Sequence, residues 1–145
     1  MNNNTIFPFM GAPEDYISPD NEELPIFKEF AWNFDKDEKI IENGDFKIVE
    51  RNEAIKVWIY KTIKTDKYVH LIYDWDYGTD IKNLIGQKYT KGLTESEAKR
   101  YIQEALLTNP YILEVNVTNA EFKDDNLSIS LNVKTIYGEE EITFV

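Results

Sequence analysis

Residues Asn52–Gly86 read NEAIKVWIYKTIKTDKYVHLIYDWDYGTDIKNLIG, and the repeat of their apolar side chains decides the fold. Ile55, Trp58, Ile59 and Ile63 recur at the i, i+3, i+4 spacing of a helix that buries one side. A helix is therefore expected from Arg51 or Asn52 to about Lys64. Thr65-Asp66-Lys67 breaks the period, and Tyr68–Tyr73 is β-branched and aromatic, which suits an extended segment. Asp74-Trp75-Asp76-Tyr77-Gly78 then turns a corner where Gly78 supplies a backbone angle that other residues resist. Thr79 offers an N-cap oxygen to a short helix reaching about Ile85.

On the N-terminal side of this stretch, Phe30, Trp32 and Phe34 alternate with Ala31, Asn33 and Asp35 and predict one apolar strand face. Asp35–Glu38 is a polar turn. Lys39–Glu42 and Asp45–Val49 are joined by Asn43-Gly44, the dipeptide favoured in a two-residue type I′ hairpin. Residues 1–25 contain Pro8, Pro13, Pro19 and Pro25 and no sustained period, yet hold Phe7, Phe9, Met10, Tyr16 and Ile17. Such a segment reads as an extended arm that lies along a neighbouring subunit in an assembly. Residues 26–145 form the single domain.

On the C-terminal side, Thr94-Glu95-Ser96-Glu97 has the form of a capping box. Ala98, Tyr101, Ile102, Ala105 and Leu106 form an apolar stripe on the helix it opens, and Asn109-Pro110 stops that helix. Leu113, Val115 and Val117 alternate with polar residues, and the parity shift to Ala120 and Phe122 predicts a bulge near Asn119. Leu127, Ile129, Leu131 and Val133 give a strand running to Tyr137. Gly138-Glu139 turns, and Ile142 and Phe144 share a face of the last strand. The expected architecture is α+β: an antiparallel β-meander packed against two main α-helices, with an N-terminal β-hairpin and the extended arm.

Composition narrows the function. The 145 residues are enough for one core, and 42% hydrophobic content with 14% aromatics is that of a globular domain. With no Cys and one His, thiolate chemistry, disulfides and Cys- or His-clustered zinc are excluded. No run is apolar enough to span a membrane, and Met1–Asn4 lacks the basic start of a signal peptide, so a soluble product of a bacterial cytoplasm is expected. The net charge of −11 is distributed as −8 over residues 1–50, +2 over 51–108 and −5 over 109–145. Such a chain repels phosphate backbones, so nucleic-acid and membrane partners are not expected. The two acidic ends suit basic protein partners.

The succession of Trp58, Ile63-Lys64-Thr65, Tyr68, the run IYDWDYG and Asn83-Leu84-Ile85-Gly86 resembles the XkdS-like baseplate wedge proteins of contractile phage tails and phage-tail-like bacteriocins. These are relatives of the gene-25 product of contractile phages. The resemblance extends over roughly Leu24–Val145. It implies a structural subunit present in several copies in a symmetric baseplate. Its implied partners are the tail sheath protein and other wedge proteins, with the hub or tube as a further neighbour. A Glu-Pro-Arg tripeptide follows the second long helix in that family and contacts the wedge's helical bundle. Here Asn109-Pro110-Tyr111 stands in its place: the proline persists, while the ion-pairing role does not carry over. The last strands correspond to the part of the family that accepts extended sheath arms. Consistent with this, Glu141-Ile142-Thr143-Phe144-Val145 lacks Pro and Lys, the residues that protect a sheet edge. Partner-binding residues are accordingly expected at Asn109, Pro110 and Tyr111 and at Glu141, Ile142, Thr143, Phe144 and Val145.

The same family has been labelled lysozyme, a chemistry that needs two carboxyl groups flanking a sugar bond. Glu104, beside the apolar stripe of its helix, is the carboxylate best placed to act as an acid, but no second carboxylate is nominated as its partner. Asp74 and Asp76 are two ligands where a divalent cation wants six or more. His70 has no indicated nucleophile or orienting acid, and Trp32, Trp58 and Trp75 fall within apolar patterns. No catalytic residue, metal site or cofactor is predicted. The expected role is a baseplate wedge subunit of a virion or tail-like particle that anchors the first sheath ring and passes on the trigger for contraction. The alternatives are a peptidoglycan-degrading tail enzyme and an acidic inhibitor or immunity protein.

Overall fold

The computed structural model describes residues 23–66, 77–84, 91–123 and 126–144. They form β1 (Lys28–Phe30), β2 (Trp32–Asn33), β3 (Glu38–Lys39), β4 (Ile41–Glu42), β5 (Asp45–Phe46) and β6 (Ile48–Glu50), followed by α1 (Arg51–Lys64). A short 3₁₀ turn (Ile81–Leu84), α2 (Lys91–Leu106), β7 (Ile112–Lys123), β8 (Asn126–Thr135) and β9 (Gly138–Phe144) complete the described residues. Strands β7-β8-β9 form one antiparallel sheet with β8 in the middle, and β1–β6 build a separate ribbon from three short antiparallel pairings. This is the α+β meander backed by two helices that the sequence implies. Residues 1–22 of the arm and the Tyr68–Tyr73 segment lie outside the described residues.

The helix α1 forms where its periodicity requires, and both its sides are covered. Ala54, Ile55, Val57, Ile59, Tyr60 and Thr62 are all buried, an arc wider than the four-residue stripe. The sheet's inner face supplies Val115, Val117, Ala120, Ile129, Leu131, Val133 and Ile142, and α2 supplies Ala98, Ile102 and Leu106. Thr62 tolerates full burial because its hydroxyl donates to the Trp58 carbonyl one turn back (2.8 Å).

The ribbon covers α1's other side. Asn43 and Gly44 both take positive φ, +55° and +87°, as a type I′ turn demands. The expected shared face of Phe30, Trp32 and Phe34 is not formed. At Ala31 the strand changes partner from β6 to β3, and Ala31 bonds to Lys47 and Ile40 instead of continuing either ladder. The phase slips there: Ala31 is buried and Phe30 faces outward. Phe34 meets Tyr60 of α1 at 4.9 Å.

Four other boundaries differ from expectation. A register shift between Ile112 and Glu114 puts Ile112 in the core and leaves Leu113 57% exposed, so Leu113 does not join Val115 and Val117. The bulge near Asn119 is present, between Val117 and Asn119. The helix α2 starts at Lys91, three residues before the capping box, and Glu97 pairs with Arg100. The Thr79 hydroxyl donates to the Ile63 carbonyl at the end of α1 (3.1 Å), tying the Gly78 corner (φ +101°) to that helix. The β8–β9 hairpin turns at Ile136-Tyr137, with Thr135 opposite Gly138, so β8 ends before Tyr137.

The register shift makes neighbouring residues unequal. Ile112→Ala should cost about 2–5 kcal/mol, as large-to-small core changes do. Leu113→Ala should stay within about 0.5 kcal/mol. Urea unfolding of the two variants checks this; equal losses would refute the shift.

Candidate functional site

The first predicted contact, Asn109-Pro110-Tyr111, is the corner between α2 and β7. The helix ends in a tightening turn: Leu107 N–H still reaches the Gln103 carbonyl (3.1 Å), while Asn109 N–H reaches Leu106 (3.2 Å). Asn109 is buried, and its side-chain oxygen accepts the Tyr111 N–H (2.9 Å), which closes the turn locally. Tyr111 is also buried. Its ring stacks on Tyr137 at 6.3 Å and packs against Phe27 at 4.8 Å, and its hydroxyl donates to the Pro25 carbonyl (2.8 Å). Tyr137 in turn accepts the Phe27 N–H on its hydroxyl (3.0 Å). Two tyrosines thus clasp the segment that leads into β1, and only Pro110 of the three is exposed.

The second predicted contact is β9. It pairs with β8 from Gly138 to Phe144, and among the described residues no strand pairs with its other edge. Glu141 and Thr143 face solvent, and Ile142 is buried under the helices. Phe144 is part-buried between Phe34 (5.7 Å) and Tyr60 (5.2 Å). Val145 lies outside the described residues. The two predicted contacts are not adjacent: the corner lies by the β8–β9 turn, and Phe144 pairs with Ile129 at the far end of the hairpin.

Charge and shape set these surfaces apart. On the sheet's outer face Glu114, Lys134 and Glu139 align across the three strands, followed by Asn116, Asn132 and Glu141. They line an open concavity of about 430 Å³. A smaller groove of about 290 Å³ lies beyond Phe144, lined by Tyr60, Ile63, Lys64, Ile81, Leu127 and Ile129.

Polar groups that sequence reasoning did not single out hold the elements together. Asn52, in the first turn of α1, accepts the Thr135 hydroxyl (2.6 Å) and donates to Glu140 (3.2 Å), fastening helix to hairpin. At the ribbon's turn, Asp37 takes φ +55° and accepts from Trp32 Nε1 (3.0 Å) and the Tyr60 hydroxyl (3.1 Å), with Lys64 at 3.2 Å. The Trp32 indole, followed by Lys64 and Tyr60, holds the Asp37 carboxyl below the usual carboxylate range against the opposing effect of its burial. Burial works against the Lys64 ammonium, but bonding to Tyr60 and Asp37 outweighs it and raises its pKa. Residues distant in sequence meet here, and no local spacing announces it.

The catalytic candidates fare differently. Glu104 is exposed on α2 and pairs with Arg100 (2.9 Å), which also binds Glu97, so it does not sit in an apolar pocket. These two carboxylates raise the Arg100 pKa further above its ordinary value. His70, Asp74, Trp75 and Asp76 lie outside the described residues, among which no cluster of three metal-ligating side chains occurs. Trp58 packs edge-on against Tyr77 at 6.1 Å and borders the core. Among the described residues no helix is long and apolar enough to cross a membrane.

Asn52 with Thr135, Asp37 with Trp32 and Tyr60, and Tyr111 with Pro25 thus fasten the parts of a helix-backed sheet to one another. The family profile described as the contractile injection system sheath initiator matches residues 28–138, and the chain belongs to that family. It is also similar to the phage-like element PBSX protein XkdS of Bacillus subtilis (strain 168), with 28% identity over 104 residues, 70% of this chain and 74% of that protein. Its role is structural and sheath-related, in the baseplate region of a contractile tail or tail-like particle.

The Asp37 cluster has a pH signature. Its folded-state pKa is depressed, so its contribution is complete above the ordinary carboxylate value and is lost as pH falls through the lower, folded one. Asn tolerates the same backbone angle. Asp37→Asn should therefore cost about 0.5–1 kcal/mol at neutral pH, a figure kept small because the carboxylate is half exposed. The gap to the natural chain should begin to narrow below about pH 4 and close at the acid end of the range. Urea midpoints across pH 2–7 check this.

Proposed function

We propose that this chain is a non-enzymatic wedge subunit that anchors the first sheath ring by strand addition on β9, and that baseplate rearrangement reaches the sheath through it. The observation that carries the reading is the β9 edge, which has no strand partner among the described residues. Its outward side chains are Glu139, Glu141 and Thr143. Backbone pairing gives holding power without demanding a particular sequence, and the acids favour a basic arm. Asn109, Pro110 and Tyr111 belong to the reading as the second contact, made to the wedge scaffold. Pro110 offers the exposed surface there, and the buried Asn109 and Tyr111 fix its shape.

Hydrogen exchange tests the anchor. Amides of Glu139–Phe144 should gain protection when the sheath subunit binds the full chain. Glu139→Lys with Glu141→Lys should slow that association roughly tenfold at low ionic strength and leave folding intact. A complex that forms with β9 exchange unchanged would end the strand-addition reading.

A further inference from the structure

The ribbon's outward face is apolar without serving the core. Phe30 lies opposite Ile48, and Ile41 opposite Phe46, so each pair shares a face. The Phe30 and Phe46 rings meet at 5.6 Å and join the two pairs into one stripe. The four side chains are exposed by 40% (Phe30), 57% (Ile48), 63% (Ile41) and 50% (Phe46). Contiguous apolar surface of this kind marks a contact site, and a short two-stranded ribbon needs one, being marginally stable alone. One cation accompanies it. Lys39 Nζ stands 5.2 Å from the Phe30 ring centre and 4.8 Å from that of Phe46. Lys28 and Lys47 pair with Glu50 and Glu42, but no carboxylate among the described residues pairs with Lys39.

We propose that this stripe is the seat of the chain's own N-terminal segment, residues 1–22. Three observations favour that occupant. The segment carries Ile6, Phe7, Phe9, Met10, Tyr16 and Ile17 together with four acids and no Lys or Arg, matching an apolar stripe that bears a free ammonium. It is also tethered beside the stripe: Pro25 and Phe27 are clasped by Tyr111 and Tyr137, and Leu24 and Ile26, 44% and 48% exposed, lead into β1. Reach is ample, since 22 extended residues span up to about 70 Å and the stripe occupies about 25 Å of ribbon. A short tether raises the local concentration of the segment to the millimolar range, which favours this contact over one with a free partner. The competing seat within the chain, the β9 edge, is unsuited. The outward side chains there, Glu139, Glu141 and Thr143, are polar and give the segment's apolar residues nothing to cover. The arm would thus cover the ribbon and leave β9 available, an outcome that stands or falls independently of the sheath reading.

The chain has no cysteine, so a nitroxide can be attached at a single introduced site, Asn4→Cys, in the otherwise intact protein. Amide signals of Ile41, Phe46 and Ile48 should broaden in the full-length monomer, those of Glu139–Thr143 should not, and Ile41→Ser should restore the lost signals. Because Ile41 is mostly exposed, that variant keeps its fold, which unchanged shifts in β7 and β8 would verify. Absent ribbon broadening, or broadening at β9 instead, overturns the proposal. So does broadening seen only when nitroxide-bearing chains are mixed with isotope-labelled, unmodified ones, which would assign the stripe to a second copy.

Discussion

The fold depends on α1 being enclosed from two sides. One side, through Ile55 and Ile59, joins the core shared by the sheet and α2. The other is closed by the ribbon, through Phe34 on Tyr60 and the ion pair of Lys61 with Glu29 (2.9 Å). Neither neighbour is self-sufficient. A three-stranded sheet has one apolar face to hide, and a ribbon of two- and three-residue strands lacks the ladder length to hold itself. The helix therefore serves as a shared core element, and a change that shifts it would loosen both layers.

Both ends of α1 are fastened by hydrogen bonds, and the C-terminal end adds aromatic packing to its bonds with Thr79 and Asp37. At the N-terminal end Arg51 N–H donates to the Phe27 carbonyl, and Asn52 binds Thr135 and Glu140, so hydrogen bonds set where the helix meets the hairpin. At the C-terminal end Tyr60 packs against Phe34 and Phe144, and Lys64 lies over the Tyr60 ring at 4.5 Å. Aromatic packing with a cation above it adds about 0.5–1.5 kcal/mol per contact and tolerates small displacements. Hydrogen bonds as short as the one between Thr135 and Asn52 do not.

Much of this was legible in the sequence, and the losses in the strands share one cause. Periodicity located α1 and the alternation of β8, and Asn43-Gly44 located the hairpin turn, because each depends on residues a few positions apart. What failed in the strands was phase at two places where a strand changed partner or slipped register: Phe30 against Trp32 at Ala31, and Ile112 against Leu113. The slip near Asn119, by contrast, showed in the apolar parity itself. A single extra residue inverts which side chains face inward, and the choice is made by the neighbouring strand. The surfaces proposed for partners were nominated only as chain segments. That β9 lies at the sheet's edge follows from pairing order, and the inward turn of Tyr111 follows from aromatics 26 and 84 positions away, Tyr137 and Phe27. The Asp37 cluster left no local trace, since its four members span residues 32–64.

For a scaffold proposed to carry force, the stiffness of the path matters more than the strength of any one contact. A pull on β9 would be borne first by its ladder with β8, from Gly138 to Phe144, in which the load is shared along the strand. From there it would pass inward through Ile142 to the core and, at the hairpin, through Asn52 into α1. It would leave through the ribbon and the tyrosine clasp around Pro25–Phe27, which join the helix layer to the chain's N-terminal side. Shear along a paired strand loads its hydrogen bonds together, whereas peeling breaks them singly. An arm laid parallel to β9 is therefore the geometry in which so small a domain could hold against a contracting sheath, and a contact at the Pro110 corner alone would offer no such sharing.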